Sequence, residues 1–157
     1  MTDTRIPAEQ VGARMEIMAL IARYCHAVDR CDWSMFEDVF TEDVVADYSS
    51  VEQYTGGVAK LDGRANLVEW FEKSMKHIGP GLTHYMTNCL IDMHGGEATV
   101  MVHNHVLNAS MGAVYNCRAI DTPEGWRIAE LNFEVRYFDD VVSGMSGYME
   151  GVDGRSV

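Results

Sequence analysis

Apolar residues at Ile17, Leu20, Ile21, Tyr24 and Val28 recur three and four positions apart, a spacing that gathers side chains on one face of a helix. The pattern predicts a first helix from about Ala8 to Arg30, after a loose arm over residues 1–7. Asp29 falls directly beside the apolar face. So close to a helix C-terminus, a carboxylate meets the negative end of the macrodipole at a cost of roughly 0.3–1 kcal/mol. A short second helix, capped by Asp32 or by Ser34 with Glu37 three residues on, is expected to end near Phe40. Val44 to Ser49 is rich enough in β-branched residues for a short strand, with Tyr48 on it. Gln53 to Lys60 holds another short strand or a loop. A third helix begins at Asp62-Gly63, buries Leu67, Val68, Phe71, Met75 and Ile78, and stops at Gly79-Pro80-Gly81.

Beyond that stop the period shortens. Strands are expected over Thr83 to Asp92, Ala98 to Ala109, Met111 to Ile120 and Trp126 to Phe138. Turns fall at Met93-His94-Gly95-Gly96 and Asp121-Thr122-Pro123-Glu124-Gly125. The tail, 139–157, reads as a short helix or a flap. Helices followed by an antiparallel meander predict a single α+β domain over residues 1–157. In it, N-terminal helices pack in a curved, mostly antiparallel sheet that encloses a pocket. No internal repeat or low-complexity segment interrupts this reading.

Composition narrows the partners. An apolar share of 47% fits a globular chain. The formal charge of −12, from 24 acids and 12 bases, disfavours nucleic acid and anionic membranes. No apolar run approaches the ~20 residues of a membrane span. The polar start MTDTRIPAEQ lacks the apolar core of a secretion signal, so a cytoplasmic location is expected. Cys25, Cys31, Cys89 and Cys117 have no metal-finger spacing and read as buried or partly buried thiols.

The stretch RYCHAVDRCDWSMFEDVFTEDVVADY, with THYMTN and GWRIAELNFEVRYF downstream, resembles the SnoaL-like group of the nuclear-transport-factor-like α+β cone superfamily. The likeness runs to about Phe138 and is similar to that of scytalone dehydratase, hexachlorocyclohexane dehydrochlorinase and bile-acid dehydratase. It implies an α+β cone and a catalytic dyad of Asp29 and His84. By position it also implies roles for Tyr24 and Tyr48, and for a polar group on the second long strand, where His105 is the nearest candidate.

In such a dyad the carboxylate fixes the imidazole tautomer, and the other ring nitrogen takes or returns a proton. Without the resemblance, Asp29 would read as a turn cap and His84 as a histidine satisfied in the sheet. Tyr24 and Tyr48 can donate to a carbonyl or hydroxyl, or simply pack as aromatics. Asn88, four residues after His84 and expected on the same strand face, can orient a ligand or satisfy backbone. Met86, Met101 and Met111, among eleven methionines, suit a soft apolar pocket or ordinary core. His103 and His105 alternate as metal ligands do, but Val106, Leu107, Asn108 and Ala109 supply no carboxylate, so no metal site is expected. Trp33, Trp70 and Trp126 read as structural anchors, and Arg136 as a partner for nearby acids.

These expectations converge on a lyase or isomerase that needs no cofactor and acts on a small, cyclic, mostly apolar ligand, with elimination of water as the leading case. Polyketide-type cyclisation and ketosteroid-type isomerisation need the same parts. The alternative is a binding or assembly subunit of the same fold, as in the beta subunits of ring-hydroxylating dioxygenases. A homo-oligomer, with a trimer favoured by the resemblance, would cover the free face of the sheet.

Overall fold

Helix α1 (Val11–Arg30) enters from a 3-10 turn, Ala8–Gln10, and buries Ile17, Leu20, Ile21, Tyr24, Cys25, Ala27 and Val28. Its end is set by backbone geometry. Cys31 takes the left-handed conformation (φ 52°), so that Cys31 N–H donates to Val28 O at 3.1 Å and Asp32 N–H to Ala27 O at 2.9 Å. This paired closure satisfies two of the carbonyls a helix end leaves open. It fixes Asp29 in the last turn, where its carbonyl accepts Gly81 N–H at 3.2 Å.

The computed structural model describes residues 5–52, 59–76, 81–107 and 111–138. Six strands form one sheet: β1 (Phe40–Asp47), β2 (Lys60–Asp62), β3 (His84–His94), β4 (Glu97–Val106), β5 (Met111–Thr122) and β6 (Gly125–Phe138), in the order β2-β1-β6-β5-β4-β3. All pairings are antiparallel except β1 with β6. Register shifts interrupt β1–β6, β3–β4 and, twice, β5–β6. Such bulges bend strands and increase their twist, which curves the sheet around α1. Helix α2 (Arg64–Ser74) follows Gly63 (φ 87°) and buries Leu67 and Phe71.

The α+β architecture is as expected, and several boundaries are corrected. The capping box at Ser34 does not form. Ser34 Oγ–H donates to Asp32 Oδ1 at 2.6 Å instead, and Trp33–Glu37 is only a 3-10 turn. Phe40 opens β1 rather than closing a helix, because Phe40, Val44 and Ala46 face the core while β1 pairs with the distant β6. Tyr48 lies one residue past β1, ahead of the turn Ser49–Val51. Residues 53–58, Ile78, Gly79, Pro80, Asn108, Ala109 and the tail lie outside the described residues. Among those that are described, no helix is long and apolar enough to cross a membrane.

Trp33 stacks on Phe71 (5.2 Å between centroids) and Trp70 on Tyr48 (4.8 Å), linking α2 to the interior of the sheet.

Candidate active site

The last turn of α1 meets the first residue of β3. His84 Nδ1–H donates to Asp29 Oδ1 at 2.5 Å, and His84 backbone N–H reaches both carboxylate oxygens at 3.2 Å. The two side chains are only 5% and 18% exposed. Asp29 at an unfavourable helix end is thus held by donors from another element. No described residue bonds His84 Nε2.

Strand register shows what shares this face. His84 stands opposite Val106 and Met86 opposite Asn104, with Asn104 opposite Ala113 on β5 and Val102 opposite Tyr115. On β4 the buried positions are Ala98, Val100, Val102, Asn104 and Val106, which form the concave face. Met86 is half-buried on that same face.

Tyr24, Tyr48 and Tyr115 bring three hydroxyls together in the interior. Tyr24 O–H donates to Tyr115 Oη at 3.2 Å and accepts from Tyr48 O–H at 2.8 Å. Two bonds use two of three phenolic protons, so the Tyr115 proton has no acceptor among the described residues. Burial, above all, raises the ionisation of all three phenols well beyond the ordinary range, so they act as neutral donors. The Asp29 carboxylate also contributes to raising that of Tyr115, which places the cluster within electrostatic reach of the dyad.

Three expected ligand contacts lie elsewhere. His105 and Met101 occupy odd positions of β4 and therefore its outer face. His105 Nδ1 shares a 2.5 Å hydrogen bond with Tyr137 Oη, and Met101 is 36% exposed. Asn88 is the left-handed residue (φ 53°) of the bulge between Thr87 and Leu90, which breaks the alternation expected from His84 and leaves it exposed. His103 is exposed on the outer face. Among the described residues no group of three or more His, Cys, Asp or Glu is arranged to hold a metal ion. Arg136 pairs with Glu134 at 3.0 Å.

Tyr115 and Asn104 are not singled out by the sequence reading. Asn104 was legible: in EATVMVHNHV the even positions are Ala98, Val100, Val102 and Val106, so parity puts Asn104, not His105, on the apolar face. Asn116 and Arg118 alternate with Tyr115, Cys117 and Ala119, so parity puts Tyr115 on the apolar face, but nothing in the sequence separates it from an ordinary core aromatic.

The sequence profile of the SnoaL-like domain matches residues 9–132. The chain belongs to the SnoaL-like family. It is 27% identical over 129 residues to the uncharacterised protein Rv2910c of Mycobacterium tuberculosis, an alignment covering 76% of this chain and 82% of the relative. Among solved structures, the Kfla4162 protein of Kribbella flavida superposes with a TM-score of 0.70 at 19% identity, covering 85% of this chain and 96% of that one. LinA superposes with a TM-score of 0.64 at 14% identity, covering 83% and 90%. These likenesses show a shared fold, which two further solved structures at 18% and 19% identity describe as cystatin-like.

Burial holds two thiols of this SnoaL-like domain, Cys25 and Cys117, in the protonated form. Cys25 is pushed up to about 12 by burial and then by the Asp29 carboxylate, and Cys117 to about 12 by burial and then by Cys89. A thiol raised in the folded state ionises first in the unfolded chain. Stability is therefore flat below the ordinary thiol value of 9.0 and falls as pH rises from there towards about 12. The slope is at most about 1.4 kcal/mol per pH unit for each thiol. Urea midpoints measured at pH 8 and pH ~10 should fall for the wild type and fall distinctly less for a Cys25→Ala/Cys117→Ala variant; equal slopes would refute the assignment.

Proposed function

We propose that this SnoaL-like domain is a cofactor-independent lyase or isomerase acting on a small, cyclic, mostly apolar substrate, with dehydratase-like elimination as its leading chemistry. The observation that carries the reading is the buried His84–Asp29 pair, with Nδ1 engaged by the carboxylate and Nε2 left without a described partner. His84 Nε2 takes the proton next to a carbonyl while Asp29 holds the ring and stabilises the imidazolium that forms. The Tyr115 hydroxyl, oriented by Tyr24 and Tyr48, donates to the oxygen that gains charge. His84 then returns the proton to the departing hydroxyl, and water leaves.

Proton abstraction is common to elimination, isomerisation and cyclisation, so it is tested first. The wild-type protein should catalyse exchange of the α-protons of cyclic ketones in deuterium oxide and loss of water from cyclic 3-hydroxyketones, with or without a chelator. Absence of exchange across a ketone panel would favour the alternative reading of a binding or assembly subunit.

The proposal extends to self-association. Tyr85, Leu90, Met101 and Tyr137 are 36–54% exposed on the outer sheet face, where Glu134, two strands from His103, is offset by Arg136 at 3.0 Å. Four large apolar side chains exposed together on one sheet face suit burial against a second copy of the chain. Light scattering at micromolar concentration should give a homo-oligomer, with a trimer favoured; a monomer would contradict it.

A further inference from the structure

Among the described residues Asn104 is the one buried amide side chain, at 4% exposure, and neither its Oδ1 nor its Nδ2 has a hydrogen-bond partner. Buried amides in folded proteins are almost always paired, because an unmet donor or acceptor keeps its full desolvation cost. Arg14 Nε and Thr41 Oγ1 are also unpaired but belong to part-buried residues, so a core amide with both ends unmet is the exception that needs a reason. The neighbours on its own face supply no partner: Met86 stands opposite on β3 and Ala113 opposite on β5.

The position is as telling as the missing partners. Across β3–β4, Asn104 is diagonal to His84; across β4–β5 it is diagonal to Tyr115. Diagonal neighbours on one face lie about 7–8 Å apart, close enough for one small molecule to touch both. His84, Asn104 and Tyr115 thus form a polar row across a floor otherwise built of Met86, Val102, Val106 and Ala113.

We propose that Asn104 is a ligand-positioning residue, and that its amide selects a neutral ring bearing a hydrogen-bond acceptor and a donor on nearby atoms. This rests on the reading of the interior as a substrate site. Nδ2–H donates to the acceptor and Oδ1 accepts from the donor, and a half-turn of the amide serves the reverse order. A carbonyl with a neighbouring hydroxyl meets both needs. A hydrocarbon or halocarbon ring meets neither and would bury the amide still unpaired, so that class is excluded. Asn104 moves no proton itself. It sets the ring so that the carbon next to the carbonyl faces His84 Nε2.

The test exploits an opposition that a structural role would not produce. Asn104→Leu is close in volume and removes two unsatisfied atoms. Its melting temperature should rise by about 2–4 °C, while its affinity for 3-hydroxycyclohexanone, followed by ligand-observed NMR, should fall at least about tenfold. Binding of methylcyclohexane, which the wild-type amide excludes, should strengthen in Asn104→Leu. In the wild type, the Asn104 side-chain amide signals, assigned by their loss in Asn104→Leu, should shift on adding 3-hydroxycyclohexanone. A lowered melting temperature with unchanged affinity, or amide signals that do not move, would overturn the proposal and leave Asn104 structural. His84→Ala separates this from the catalytic reading. Proton exchange lost in His84→Ala with 3-hydroxycyclohexanone binding intact in Asn104→Leu defeats Asn104 alone. Exchange intact in His84→Ala with binding lost in Asn104→Leu defeats the base and keeps Asn104 as a binding group.

Discussion

His84→Ala should lower kcat/KM for α-proton exchange and for dehydration by about 10²–10⁴-fold, the usual contribution of a positioned general base. The loss should appear in kcat, because the imidazole acts in the transition state and not in uniform binding. The fold should survive, as the replaced ring sits at the first residue of β3 and leaves the ladder from Tyr85 to Val106 intact. Circular dichroism and a cooperative melt on the same preparation distinguish lost chemistry from lost structure. Exchange within about threefold of the wild type would remove His84 from the mechanism.

Asp29 should affect both stability and rate. Its carboxylate accepts the Nδ1–H and the backbone N–H of His84. Asp29→Ala strands both donors in a poorly solvated site, a loss of about 1–3 kcal/mol. Relief of the helix dipole returns only about 0.3–1 kcal/mol. The hydrogen bonds win, and the melting temperature should drop by several degrees. Asp29→Asn keeps one acceptor oxygen, so it should melt closer to the wild type while disturbing the imidazole tautomer. Its rate loss should equal or fall short of that of His84→Ala. An Asp29→Asn variant slower than His84→Ala would mean that the carboxylate touches the substrate itself.

Much of this arrangement was legible in sequence where period and chain order decide it. The stripe Ile17, Leu20, Ile21, Tyr24 and Val28 gave α1, and the apolar alternation of β4 gave its inner face. What was hidden depends on long-range pairing. Phe40 reads as a helix end until its strand pairs with β6, some ninety residues away. Asn88 reads as a neighbour of His84 until a bulge, which no periodicity announces, turns it outward. The resemblance, read by position, prefers His105 as the polar group of the second long strand. Register reverses that preference, since only even positions of β4 share the face of His84. Tyr115 joins Tyr24 and Tyr48 across 91 and 67 positions, contacts that only the closed sheet brings about. The Asp29–His84 pair spans 55 positions and came from resemblance rather than from spacing.

The central claim is that Asp29 holds His84 with its proton on Nδ1 and its lone pair on Nε2, ready to take a proton. Long-range nitrogen–proton correlation NMR of the imidazole reads this directly, with His84→Ala used to assign the signals. At a pH where the ring is neutral, the wild type should show a protonated Nδ1 and an unprotonated Nε2, and Asp29→Asn should disturb that preference. A wild-type ring carrying its proton on Nε2, unaltered by Asp29→Asn, would contradict the dyad and the mechanism built on it.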